Sequence, residues 1–166
     1  LWYKSLYYIY VVNFSISVAF NMKIKIKRVF LASDHAGFIL KKRISKFLTT
    51  KGIKILDLGT KNSSSVDYPD FAHLLAKKMK TKNNNIGILV CGSGIGMSMA
   101  ANRHKNIRAA LCHSVKSAKL SRMHNNANVI TIGSRLTKKE LALKCVKVFL
   151  KTPFDGGRHL RRINKI

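Results

Sequence analysis

Acidic residues are nearly missing from this chain: six Asp and Glu stand against 32 Lys and Arg, a formal net charge of +26 over 166 residues. A surplus of that size first suggests nucleic acid. The lysines, however, are scattered along the whole chain rather than gathered into one stripe, and aromatic interleaving is sparse. A solvated lysine-rich surface that also draws in an anionic substrate fits better, and no specific nucleic-acid partner is expected. Cysteine is scarce too. Cys91, Cys112 and Cys145 are odd in number and widely spaced. That argues against a zinc site and a disulfide framework, and for a reducing, cytoplasmic setting. Internal repeats and an interdomain linker are absent. With 46% hydrophobic residues, the 166-residue chain is expected to build one domain around a sizeable core.

The first stretch fits this picture least. Leu1 to Asn21 is apolar and aromatic, with Lys4 its only charge. Its longest uncharged run, Ser5 to Asn21, is marginally short for a membrane span and lacks a convincing signal-cleavage pattern. The preferred expectation is an over-extended start over residues 1–21, with Met22 opening the domain proper over residues 22–166. A membrane anchor or export leader is the alternative; the domain itself is expected to have no membrane partner.

From Arg28 the pattern is regular. Strands are expected at Arg28 to Ser33, Ile53 to Leu58, Ile86 to Val90, Arg108 to Cys112 and Asn128 to Ile132. Helices are expected at Gly37 to Thr50, Asp70 to Lys80, Met97 to Arg103, from the Ser114 cap to about His124, and at Lys138 to Leu150. Thr137 is expected to cap the last of these, with Glu140 completing a capping box. Strands alternating with helices at short spacing imply a three-layer α/β/α Rossmann-like fold with a five-stranded parallel sheet. Ligands of such a fold sit at the carboxyl ends of the strands.

The most informative stretch is Cys91-Gly92-Ser93-Gly94-Ile95-Gly96, a turn between a strand and a helix. Its glycines let successive backbone N–H groups converge on an anion. It is not a P-loop, because no Gly-Lys-Ser/Thr follows. A thiol opening such a turn sits where thiolate is favoured, although a phosphate turn whose cysteine merely packs reads equally well. Asp34 and His35 follow the first strand, where Asp34 alone would serve as a helix cap. Tyr68, in the Asp67-Tyr68-Pro69 corner, is either packing or a ligand cover. Arg135 follows the fifth strand, a cation near an anion-binding edge. His124, beside Asn125, is by default a helix C-terminal group. Arg158 and Arg162 share a face if the tail is helical, and otherwise belong to a solvated basic tail. His73, His104 and His113 are taken as structural.

Together these pieces resemble the B-type ribose-5-phosphate isomerases, related to the galactose-6-phosphate isomerase subunits. The matching residues are Ser33 to Gly37, Asp67-Tyr68-Pro69, Cys91 to Gly96, His124-Asn125, Gly133-Ser134-Arg135 and Gly157-Arg158-His159 with Arg162. They occur in family order and span essentially Lys27 to Ile163. The resemblance implies interconversion of ribose 5-phosphate and ribulose 5-phosphate through a cis-enediolate. A six-carbon phosphosugar is the alternative substrate, and a basic nucleic-acid or nucleotide-binding protein the alternative class. By resemblance Cys91 is the base and His124 opens the sugar ring. The N–H groups of Gly92, Ser93, Gly94, Ile95 and Gly96 hold the oxyanion, each donor typically worth roughly 3–4 kcal/mol. Asp34 and Asn125 bind hydroxyls, and His35, Arg135, Arg158 and Arg162 the phosphate. No cofactor or metal is implied, since the amide cradle takes the place of a Lewis acid. The resemblance also points to a homodimer or dimer of dimers with shared active sites. The helix ending at His124 runs antiparallel to the strands, which carries His124 roughly 15 Å from the carboxyl edge where Cys91 lies.

Overall fold

The computed structural model describes residues 26, 28–79 and 85–166; the expectation for Leu1 to Asn21 lies outside them. Five strands form one sheet: β1 (Arg28–Ser33), β2 (Ile55–Asp57), β3 (Asn85–Cys91), β4 (Ala109–Leu111) and β5 (Val129–Gly133). Every pairing is parallel, in the order β2-β1-β3-β5-β4. All of β3 and β5, and β1 beyond Arg28, are buried. That is why their sequences are unbroken apolar runs and not alternating ones. The edge strands β2 and β4 keep three residues each, shorter than the five or six expected, because they pair on one side only.

The helices are α1 (Phe38–Thr49), α2 (Tyr68–Lys78), α3 (Ile95–Ala101), α4 (Val115–Asn125), α5 (Lys139–Lys151) and α6 (Arg158–Ile163). Right-handed crossovers applied to this strand order put α1 and α4 on one face and α2 and α3 on the other. The cores agree. Ile44, Ala118 and Phe149 pack with Val29, Ile88 and Ile130, whereas Leu75 and Met97 pack with Phe30, Leu89 and Cys91. The sheet is thus covered on both faces, as the three-layer reading expects. No helix of the described residues is long and apolar enough to cross a membrane.

Three local expectations fail. Helix α2 starts at Tyr68, not Asp70, because Pro69 fits the first turn, where its missing N–H is not needed. Helix α3 starts directly after Gly94, so Ile95 and Gly96 belong to it and not to the turn. Thr137 does not cap α5. Its N–H donates to Gly133 O (3.0 Å), which draws the residue into the interior, where its Oγ1 finds no hydrogen-bond partner. Lys138 takes the cap position instead, and Glu140 is left in a well-exposed 3.7 Å pair with Lys139 that adds little. The Ser114 cap does form, as a reciprocal box: Ser114 Oγ accepts from Ser117 N–H (3.0 Å), and Ser117 Oγ from Ser114 N–H (3.2 Å).

One buried cation ties the sheet's edge to the site. Lys41, 2% exposed, donates to both Asp57 carboxylate oxygens (2.5 and 2.7 Å) and to Thr60 O (2.8 Å). Thr60 N–H in turn donates to Ser33 O, and Ser33 N–H to Gly59 O, both at 2.8 Å. The carboxyl end of β1 is therefore braced from below. Asp57→Ala, which strands the ammonium, should cost about 2–3 kcal/mol, below the ~3–5 of a fully buried pair because Asp57 is half exposed. Adding Lys41→Met should recover most of that loss in urea unfolding. A double variant less stable than Asp57→Ala alone would contradict the assignment.

Candidate active site

The winding of the chain reverses between β1 and β3, which opens a crevice above their carboxyl ends. Cys91 ends β3 there, 4% exposed, and its Sγ accepts a hydrogen bond from Gly94 N–H (3.0 Å). Gly94 adopts φ +80°, and a Cβ on it would lie 2.9 Å from Gly133 N. Ser93 Oγ accepts from Ile95 N–H (3.3 Å). The Gly94 amide of the turn and the first amide of α3 therefore serve the turn's own side chains.

Both neighbouring strands close on this turn. From β5, Ser134 N–H donates to Cys91 O (2.8 Å) and Arg135 N–H to Gly92 O (3.0 Å). That sets the Arg135 side chain over Gly92, with its Nε and Nη1 3.5 Å from where a Cβ would sit. From β1, Asp34 N–H donates to Val90 O (3.2 Å), and the buried Asp34 Oδ1 accepts from Gly37 N–H (2.8 Å). Gly37 itself takes the α1 cap position, with no side-chain cap bond, so Asp34 closes the preceding turn. Val66 N–H lies 3.2 Å from His35 Nδ1. In the tautomer that accepts this bond, Nε2 carries the ring proton. Tyr68, 40% exposed, lies against the first turn of α3, its ring 2.5 Å from where a Gly96 Cβ would be. Asp34, His35, Tyr68, Arg135 and Cys91 to Gly96 thus form one constellation.

His124, Asn125, Arg158 and Arg162 belong elsewhere. Helix α4 returns the chain to the amino edge, where Asn128 O accepts from Gly87 N–H at the start of β3. Cys91 pairs with Gly133 and Gly87 with Val129, so four residues, about 13 Å of strand, separate the two levels. At the amino edge the His124 and His159 rings stack, with centroids 4.3 Å apart and planes within 7°. Asp155 N–H donates to Met123 O (3.0 Å), which brings its carboxylate to the same place. Asn125 lines an adjacent cavity of about 350 Å³ with Lys105 and Arg108. Burial first, then the positive charge of His124, Arg158 and Arg162, lowers the His159 pKa below the ordinary imidazole value, against the pull of Asp155.

Asp155 and the nearness of His159 to His124 were not foreseen. His159 does stand in the matched tail, but nothing in the spacing links it to a residue thirty-five positions earlier. His73 Nδ1 and His104 Nε2 form a separate pair (2.8 Å) on the α2–α3 side. The other two thiols are removed from chemistry: burial pushes Cys112 up to about 11 and raises Cys145 as well.

A family model described as Ribose/Galactose Isomerase matches residues 29–166. The chain is 41% identical over 140 residues to ribose-5-phosphate isomerase B of Escherichia coli, covering 84% of this chain and 94% of that protein. It also resembles the structure of ribose-5-phosphate isomerase B from Mycoplasma genitalium with bound ribulose-5-phosphate. There the TM-score is 0.79 at 49% identity, over 83% of this chain and 92% of that one. For the ribose 5-phosphate isomerase of Thermotoga maritima the TM-score is 0.81 at 50% identity, over 83% and 95% of the two chains.

The Cys91 turn yields a direct test. Gly52 and Gly94 both have positive φ, +71° and +80°, but a Cβ meets nothing at Gly52 and the β5 backbone at Gly94. Gly52→Ala should cost about 1 kcal/mol from backbone strain alone, and Gly94→Ala roughly 2–4 kcal/mol together with most of the activity. Equal losses in denaturant unfolding would show that the turn is not tightly held.

Proposed function

The chain belongs to the ribose/galactose isomerase family, and on that premise we propose that it interconverts ribose 5-phosphate and ribulose 5-phosphate with Cys91 as the base. As an enzyme of the ribose-5-phosphate isomerase B family it is a sugar-phosphate isomerase; the pentose substrate and the residue roles are the proposal. The observation that carries it is the Gly94 N–H donating to Cys91 Sγ beside the Arg135 side chain. A hydrogen bond from a fixed amide holds the sulfur in one place at the mouth of the turn, as a base that abstracts a proton from a bound sugar requires.

The thiolate takes the proton from C2 of the open-chain aldose. The C–H bond breaks as an S–H bond forms, and the electron pair spreads over C1, C2 and O1 as a cis-enediolate. Returning the proton to C1, with the hydroxyl proton passing from O2 to O1, gives the ketose. One base reaches both carbons because they are adjacent and the enediolate is planar. With Gly94 N–H engaged by sulfur and Ile95 N–H by Ser93, the amides of Gly92, Ser93 and Gly96 hold the oxyanion. Asp34 and Asn125 orient hydroxyls, and Tyr68 covers the sugar. His35 and Arg135 meet the phosphate from the Cys91 side, Arg158 and Arg162 from the other. His124 moves protons both ways during ring opening, a task suited to imidazole near neutral pH.

Because His124, Asn125 and the α6 arginines lie at the opposite edge, the complete site is assembled from two subunits, one lending its carboxyl edge and the other its amino edge.

Cys91→Ala should bring ribose 5-phosphate turnover below a few per cent of wild type while phosphosugar binding persists; higher residual turnover places the base elsewhere. A coupled assay on five- and six-carbon phosphosugars identifies the substrate, and faster turnover of galactose or allose 6-phosphate would replace the pentose assignment. For the shared site, inactive Cys91→Ala and His124→Ala proteins are unfolded and refolded together. About half of randomly paired dimers are hybrids with one intact site, so roughly a quarter of wild-type activity should return. A mixture that stays inactive contradicts shared sites.

A further inference from the structure

We propose that His124, Asp155 and His159 form a site for a borderline divalent metal ion such as Zn²⁺, and that its occupancy reversibly switches off the isomerase. The ligand atoms of the three residues all lie within 4.8 Å of one another. Two imidazoles and one carboxylate are a donor set that suits zinc, cobalt or nickel and leaves coordination positions for water. Neighbouring ligand atoms around tetrahedral zinc stand about 3.3 Å apart, given bonds of roughly 2.0–2.1 Å. The cluster must therefore close by up to about 1.5 Å, and its parallel rings must tilt so that their nitrogens converge.

The structure allows that closure cheaply. Asp155 is exposed, so its carboxylate can turn in without unpacking anything, while its backbone stays pinned through the bond to Met123 O (3.0 Å). His159 is buried, and its N–H is anchored to Gly156 O (3.0 Å). All three ligands are therefore held on fixed backbone, His124 by α4, and only the exposed Asp155 side chain needs to adjust. Opposing this, Arg158 and Arg162 flank the cluster on α6 and raise the local positive potential. That repulsion weakens the site and makes it a reversible one, not a permanent metal centre. The metal would take the ring nitrogen of His124, the group assigned above to ring opening. The inhibitory half of the inference rests on that assignment; the binding half does not.

The test uses the full chain without a histidine tag. Zn²⁺ affinity is measured by competition with a chromogenic chelator, and Co²⁺ is followed by its visible absorption. Asp155→Asn and His159→Asn should each weaken binding by roughly tenfold or more, and His73→Asn should leave it unchanged. In proton NMR, Zn²⁺ should shift the ring signals of His124 and His159 together. Ribose 5-phosphate turnover should fall with the same Zn²⁺ midpoint as binding, and Asp155→Asn should keep its turnover while losing Zn²⁺ sensitivity. Binding untouched by Asp155→Asn and His159→Asn, or abolished by His73→Asn, overturns the site. Binding with undiminished turnover overturns the switch. A protein that binds Zn²⁺ at these residues yet never isomerises ribose 5-phosphate leaves the site standing and removes the assigned reaction instead.

Discussion

The architecture depends on backbone contact around the carboxyl end of β3. At Gly37 a Cβ would fall 2.3 Å from Val90 O, and at Gly133 one would fall 2.4 Å from Ser93 O. Two neighbouring turns thus press directly on the strand and the turn that carry Cys91, with no side chain between. Such packing leaves little freedom for the thiol. It fixes the Gly94 amide on sulfur and holds Asp34 and Arg135 on either side of it. In the proposed role of Cys91, a base that must serve two adjacent carbons would gain from this rigidity, because small displacements of a catalytic group are costly.

The lopsided charge takes on meaning in the same setting. With so few acids, each one described occupies a place with positive potential to answer. Asp57 meets the buried ammonium of Lys41, and Asp34 accepts the Gly37 amide. Asp67 and Asp70 stand at the start of α2, and Glu140 in the first turn of α5. Asp155 sits beside two histidines. The remaining surface is left cationic, which favours the arrival of a phosphorylated sugar over long range and costs little locally, since solvated lysines are well separated and screened.

Much of this was legible in the sequence because local chemistry agreed with global packing. The apolar runs of β1, β3 and β5 announced a buried parallel sheet, and Ser114 capped α4 as its position implied. The failures share a cause. Thr137 looked like a cap, but a turn closing onto Gly133 pulled its hydroxyl inward, a tertiary contact no spacing discloses. Strand order was invisible as well, so the seating of β5 between β3 and β4, which brings Arg135 over Gly92, emerged only from the fold. The stacking of His159 on His124 depends on how α6 docks against α4. Residues that belong to one strand end could be read; residues that meet across helices could not.

The central claim is that Cys91 carries a proton between adjacent carbons while the amide turn holds the enediolate. Isomerisation of ribose 5-phosphate in D₂O, followed by NMR at C1 of the ribulose 5-phosphate formed, tests it most directly. Transfer through a thiol predicts that deuterium enters at C1 as the equilibrium is passed repeatedly, since even a base as shielded as Cys91 exchanges with solvent between turnovers. Ketose that keeps only protium at C1 after many passes of the equilibrium would indicate direct hydrogen transfer between the carbons, and the account of the cysteine would be wrong.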